Sequence, residues 1–204
     1  MIENILIIFI AYLLGSIPFG LLLTRMAGLG DVRNIGSGNI GATNVMRTGK
    51  KWLGILTLLL DMAKGYAGVL IAACAMACYG FDVPSMLLLT AGMAAVLGHV
   101  FSIFLKFKGG KGVATAIGVL LALNPMMALT YAIFWLLILG SSRFVSVASI
   151  VSFWALLVVY VPNANANVCL FLSLLALLIT WTHRGNIARL KEGAEPKIGK
   201  KKNE

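Results

Sequence analysis

"VATAIGVLLALNPMMALTYAIFWLLILG", residues 113–140, is a 28-residue apolar run with Asn124-Pro125 near its middle. How it is read decides the fold. About 20 apolar residues cross a bilayer as one helix, so this run is long for a single passage. Proline removes a helical hydrogen bond and pushes the residue before it out of helical geometry. The run is therefore one overlong span, or two helices of about 12–15 residues hinged at Asn124-Pro125, each too short to cross without tilt or bilayer thinning.

Positive charge chooses between the two. Other apolar runs lie near 4–24, 53–80, 85–105, 145–161 and 166–182. All of the 17 Lys and Arg except Lys64 fall at 25–51, at 106–111, at Arg143 and at 184–202. The connections near 81–84 and 162–167 carry none. A single span over 113–140 would put Arg143 and the basic tail across the membrane from the first two clusters. Two hinged helices put all four clusters on one side, as the positive-inside rule favours. The expected fold is an all-α integral membrane protein of about seven spans, two of them short and hinged, with six spans as the alternative. Its amino end is outside, and its polar loops and tail are cytoplasmic. One polytopic domain covers 1–204, ending in a short basic tail from about residue 193.

Composition agrees. The chain has 204 residues, 60% hydrophobic and only 12% charged, with mean hydropathy +0.94. That excludes an ordinary soluble domain. With this apolar bulk, the net charge of +10 points to anionic lipid and not to nucleic acid. Met1, Glu3 and Asn4 lead directly into the first apolar run and Arg25 follows it, which suits a retained span and not a cleaved signal. Cys74, Cys78 and Cys169 fall within apolar runs and read as small buried hydrophobes. They and the two histidines have no metal-ligand spacing, so no metal and no cofactor is expected. Asp61 and Lys64, three apart inside a span, are either a mutually neutralising pair or part of a substrate cavity.

The chemistry lies in the polar segments. "SGNIGATNVMRTGKKW", residues 37–52, sets Ser37, Asn39, Thr43, Asn44 and Arg47 among three glycines, before Lys50 and Lys51. Small hydrogen-bonding residues, flexible backbone and a guanidinium suit a phosphate ligand. "KFKGGKGVAT", 106–115, places Lys106, Lys108 and Lys111 around Gly109, Gly110 and Gly112 at the start of a helix. Glycines allow an anion close approach, and a helix start offers N–H groups. It is not a Walker A loop, because Leu105 and Gly112 occupy positions that need glycine and Ser or Thr. In "THRGNIARLKEGAE", 182–195, helical spacing lets His183, Asn186 and Arg189 share a face, with Glu192 three residues on. A histidine beside an amide and a carboxylate can serve as a general base. "SSRFVS", 141–146, adds Ser141, Ser142, Arg143 and Ser146 on the same side of the membrane. No Gly-x-Ser-x-Gly elbow is present. Neither His99 nor His183 has an acid five positions on, where Phe104 and Ala188 stand.

"SGNIGATNVMRTG", "GHVFSIFLKFKGGKGVAT" and "HRGNIARLKEGAE" resemble the three signature segments of the PlsY family, bacterial membrane acyltransferases of glycerol 3-phosphate that use acyl phosphate. The likeness in order, spacing and hydrophobic profile covers nearly the whole chain. One departure is Ser102, where the family commonly has proline; it bears on a helix kink. The resemblance implies acyl transfer from acyl phosphate to the 1-hydroxyl of sn-glycerol 3-phosphate, giving lysophosphatidic acid and phosphate in the bacterial inner membrane. It needs neither coenzyme A nor metal. By motif, Ser37, Lys108, His183 and Asn186 are the expected catalytic residues. Ser37, Asn39, Thr43, Asn44, Arg47, Lys108, Gly109, Gly110, Lys111, Ser146, Arg189 and Glu192 are the expected substrate-binding residues. The proton acceptor is left open between His183 and a phosphate of the acceptor. A transporter of a phosphorylated solute is the alternative, since broken helices and a mid-span ion pair suit transport. Against it, no internal repeat relates the halves, and the polar residues gather at one side.

Overall fold

A computed structural model describes residues 2–79 and 85–199. The expected end of the second span at residue 80, the connection 81–84 and the last basic residues 200–202 lie outside these. The described residues are helical, with no strand: α1 Ile2–Ser16, α2 Phe19–Met26, α3 Ala42–Val45, α4 Lys51–Tyr79, α5 Ser85–Val100, α6 Val113–Leu123, α7 Pro125–Ser142, α8 Val145–Tyr160, α9 Ala166–Thr182 and α10 Arg184–Lys191. Five stretches are long and apolar enough to cross a membrane: Ile2–Met26, Lys51–Cys78, Met86–Leu105, Pro125–Ser142 and Val145–Asn163. The pair Ala166–Thr182 and Arg184–Lys191, bent by 56°, makes up to six, and Val113–Leu123 is a shorter apolar helix. The chain forms two compact units, Met1–Pro125 and Met126–Glu204.

The deciding run does break where the sequence places the break. Asn124 is extended at φ −160° and ψ 108°. Pro125 opens α7, a position where its missing N–H costs no helical bond. The halves are unequal, however: α6 has 11 residues and α7 has 18. Only α6 is as short as both were expected to be. The second helix runs past Gly140 through Ser141 and Ser142, whose hydroxyls fold back onto the Ile138 carbonyl, at 3.1 and 2.6 Å. They satisfy themselves within its last turn.

The first span, expected to be continuous, is also divided, at Ile17-Pro18 between α1 and α2. The carbonyls exposed there are taken up by side chains. Ser102 Oγ donates to Ser16 O at 2.5 Å and Lys64 Nζ to Ile17 O at 2.7 Å. Ser102 has φ −62°, an angle that proline also adopts. The departure at 102 thus leaves the local backbone direction intact and adds a hydroxyl bond.

Lipid offers little hydrophobic drive between helices, so close backbone approach through small residues has to hold them. The first unit is packed in this way. A Cβ at Gly15 would enter the Ala95 backbone, one at Gly98 the Tyr12 carbonyl, one at Gly65 the Thr115 carbonyl and one at Gly118 the Met62 carbonyl. These contacts press α1 on α5 and α6 on α4. In the second unit Phe153, Leu156, Phe171, Leu172, Leu175 and Ile179 are buried, and the Tyr131 and Phe153 rings lie 4.6 Å apart. Leu129, Ile133, Leu136 and Leu137 of α7 and Leu170, Leu174 and Leu177 of α9 face outward, as a lipid-facing helical stripe does. Cys74 and Cys78 depart from the expectation. Both are exposed and Cys169 is half-buried, because the buried stripe of α4 runs through Val69, Ala72 and Met76 and leaves the first two on its outward side.

Candidate active site

The first unit carries two glycine-rich turns on one apolar footing. Leu21, Val32, Ile40, Val45, Leu53 and Leu105 form a single buried cluster, which seats the 31–45 turn and the start of the 103–112 turn at the same end. Asn44 organises the first turn. Its Nδ2 donates to the carbonyls of Val32, Ile35 and Asn39 at 2.9, 2.9 and 2.8 Å, and its Oδ1 accepts from the Ser37 N–H at 3.0 Å. With so many bonds to the loop, this buried amide shapes the turn. Asn39 Oδ1 accepts from the Gly41 N–H at 2.9 Å, just ahead of α3. Gly36 and Gly38 have φ of +57° and +69°, left-handed angles that glycine takes without strain. The Arg47 side chain lies against Gly36, where a Cβ would meet its Cδ and guanidinium.

Ser37, Thr43 and Arg47 are exposed on this turn. Nearby, Asp31 is held well below the ordinary carboxylate range, chiefly by its hydrogen bonds from Arg33 and further by Arg25. That acid is therefore occupied. Among the described residues no carboxylate pairs with Arg47 or with Lys108.

The second turn folds back onto the end of α5. Phe107 N–H donates to Ser102 O at 2.8 Å, Lys108 N–H to Leu105 O at 3.1 Å, Gly109 N–H to Val100 O at 2.9 Å and Gly110 N–H to His99 O at 2.9 Å. Lys106 and Phe107 have positive φ, 53° and 62°. Such angles cost side-chain-bearing residues energy and persist where the surroundings impose them. They turn Lys108 outward, exposed, while Gly110 is buried and Lys111 half-buried. Gly112, left-handed at φ +86°, leads into α6.

In the second unit one carboxylate gathers the polar groups. Glu195 Oε1 accepts from Ser146 Oγ at 2.8 Å and from Asn186 Nδ2 at 2.6 Å, while Oε2 accepts from Arg189 Nε at 2.8 Å. Burial pushes its carboxyl up, but the bonds from Asn186, Ser146 and Arg189 outweigh it and hold the pKa below the ordinary value. His183 is buried at the bend between α9 and α10. Its Nδ1 lies 2.7 Å from the Ile179 carbonyl. A carbonyl only accepts, so Nδ1 carries the hydrogen and the neutral ring keeps its lone pair on Nε2.

The sequence-expected residues thus fall into two groups within the units. Ser146, Asn186 and Arg189 are joined. Glu192 is not: it is exposed at the end of α10. The residue missed was Glu195. Its signal was Gly193, which at φ +69° stops the helix and returns the chain, so that Ala194 N–H reaches Arg189 O at 2.8 Å. Ser141 and Ser142 are spent within α7, and Arg143 donates to the Ile198 carbonyl at 3.2 Å.

Residues 5–193 match the sequence model of a family described as glycerol-3-phosphate acyltransferase. The glycerol-3-phosphate acyltransferase of Sinorhizobium medicae is 52% identical over 190 residues, 93% of this chain and 90% of that protein. That of Rhodopseudomonas palustris is 48% identical, covering 95% of each. A crystal structure of PlsY, an integral membrane glycerol 3-phosphate acyltransferase, in its glycerol 3-phosphate form superposes with TM-score 0.86 at 41% identity. It covers 97% of this chain and 96% of that one. The lysophosphatidic acid form gives 0.84 at 39% identity over the same shares. A fold matched over nearly its full length, and relatives of one activity at about half identity, leave one reading: the chain belongs to the PlsY family of multi-pass membrane glycerol-3-phosphate acyltransferases.

Proposed function

We propose that the protein transfers an acyl group from acyl phosphate to the 1-hydroxyl of sn-glycerol 3-phosphate, giving 1-acylglycerol 3-phosphate and inorganic phosphate, as the first acylation of phospholipid synthesis. The observation that carries it is the pair of exposed cations, Arg47 and Lys108, set on glycine-built turns with no carboxylate partner among the described residues. Two anionic substrates need such groups. Arg47 can grip phosphate through two parallel bonds and Lys108 adds a point charge.

The hydroxyl oxygen attacks the acyl carbonyl. A carbon–oxygen ester bond forms, the bond from acyl carbon to phosphate oxygen breaks, and phosphate leaves with the electron pair. An acyl phosphate is already activated, so no covalent enzyme intermediate is required. The chain has to align the hydroxyl and carbonyl and neutralise charge on the oxyanion and the departing phosphate. Ser37, Asn39, Thr43, Gly109, Gly110 and Lys111 assist the phosphate contacts. His183 and Asn186 act on the acceptor hydroxyl, its proton going to His183 Nε2 or to a phosphate oxygen of the acceptor. Glu195 is the carboxylate that holds Asn186, Ser146 and Arg189. The apolar helices accommodate the acyl chain, which gains about 0.8 kcal/mol per buried methylene.

The same reading places one acyltransferase domain of seven spans in the bacterial inner membrane, amino end outside and tail in the cytoplasm. No metal or coenzyme A takes part. Purified protein given acyl phosphate and glycerol 3-phosphate should form the monoacyl product and release phosphate, while acyl-CoA gives little or none. Equal turnover with acyl-CoA would overturn the donor. For the topology, an impermeant thiol reagent added outside should label a cysteine at Asn165 but not one at Lys50 or Lys197.

A further inference from the structure

His99 has no part in the mechanism above, yet it is almost fully buried, 3% exposed, beside the one ion pair inside the described helices. Its Nδ1 lies 3.5 Å from Asp61 Oδ1, and Lys64 Nζ lies 2.8 Å from the same oxygen. Lys64 also donates to the Ile17 carbonyl at the α1–α2 break and stands 5.6 Å from the Phe19 ring centroid. Ionisable groups within a span are costly, and apolar side chains would hold a bundle at less expense. Their placement therefore calls for a job.

The second turn supplies one. Gly109 and Gly110 are not among the residues with positive φ, so their backbone angles do not demand glycine. Space does. A Cβ at Gly109 would enter the His99 carbonyl, and one at Gly110 would enter the His99 ring at Nε2. The backbone of that turn is also bonded to the His99 and Val100 carbonyls. The ring touches the ion pair through one edge and the glycine turn through the other. We infer that His99 is a positioning residue: buried beside the Asp61–Lys64 pair, its ring is the seat on which the 106–112 turn rests, and it fixes where Lys108 meets phosphate. The inference rests on the reading that Lys108 binds substrate.

Titration calorimetry with glycerol 3-phosphate tests it without any acyl donor, on full-length protein, with thermal melting as the check on folding. His99→Asn keeps a donor near the place of Nδ1 and removes the ring edge facing Gly110. Its Kd should rise about 10- to 100-fold, the scale of a displaced contact, with little change in melting temperature. In the Lys108→Ala background the same substitution should cost less than about 2-fold, because a residue acting through Lys108 has nothing left to position. Wild-type affinity in His99→Asn, or fully additive losses in the double variant, overturns the inference. A silent Lys108→Ala instead removes the phosphate reading beneath it. If His99→Asn does not fold, Gly110→Ala decides: its added methyl would meet the His99 ring and shift the turn off its seat, so affinity should fall by a similar factor, and unchanged binding overturns the inference.

Discussion

In the first unit the polar groups stand on turns whose own backbone supplies most of the hydrogen bonding, organised by Asn44 and by the end of α5. In the second, a single carboxylate draws in a hydroxyl, an amide and a guanidinium. The consequence is electrostatic. Arg189 is neutralised by Glu195 at 2.8 Å, whereas Arg47 and Lys108 face outward with no acid partner among the described residues. The same residue type thus stands in two settings: Arg47 is exposed with no acid partner among the described residues, and Arg189 is tied with Ser146 and Asn186 to Glu195. Glycine-built turns suit anion binding because the missing side chains allow an anion close approach to the cations they carry. A hub around one carboxylate suits fixing the orientation of an amide.

The largest effect expected on either side is at His183. If Nε2 takes the hydroxyl proton, His183→Ala should lower kcat about 10²–10⁴-fold with a smaller change in KM. A small loss with an unchanged pH profile would give the proton to a substrate phosphate. A KM effect alone would make His183 a binding residue.

Glu195→Ala comes next. It strips partners from Ser146, Asn186 and Arg189, each partly or wholly buried, at about 1–3 kcal/mol for a buried group left unsatisfied. Thermal melting should show the loss. A variant as stable as wild type would mean that the hub only decorates the tail.

The pH dependence of that hub has a definite sign. The Glu195 carboxyl titrates below its ordinary 4.5 in the folded chain. Its contribution to stability is full above that value and is lost as pH falls through the lower, folded one. Glu195→Gln should remove this acid-side loss, and an unaltered acid melting profile would contradict it. The smallest effect belongs to Glu192→Ala, expected within about 0.5 kcal/mol of wild type as a surface change. Activity loss there equal to that at Glu195 would erase the distinction between the two acids.

How much of this was legible follows the same division. The hinge at Asn124-Pro125 could be read because proline acts on its own neighbours, and the glycine turns could be read because their chemistry is contiguous. The unequal lengths of α6 and α7 could not, since Ser141 and Ser142 have the composition of a turn and yet lie in the last turn of α7, their hydroxyls bonded to the Ile138 carbonyl. Helical spacing pointed to Glu192 on the assumption that α10 continues. The helix stops at Lys191, and the left-handed Gly193 brings Glu195 back instead. Seating of the 106–112 turn on His99 was equally hidden. The glycines were visible, but the ring that Gly110 accommodates lies eleven residues earlier.

The central claim, that exposed cations on backbone-built turns are the phosphate-binding groups, is tested most directly at Arg47. Steady-state acyl transfer to glycerol 3-phosphate by Arg47→Ala should show kcat/KM lower by about 10- to 150-fold, the worth of one charge-assisted contact, with an unchanged melting temperature. Near wild-type turnover in a folded Arg47→Ala protein would contradict the account.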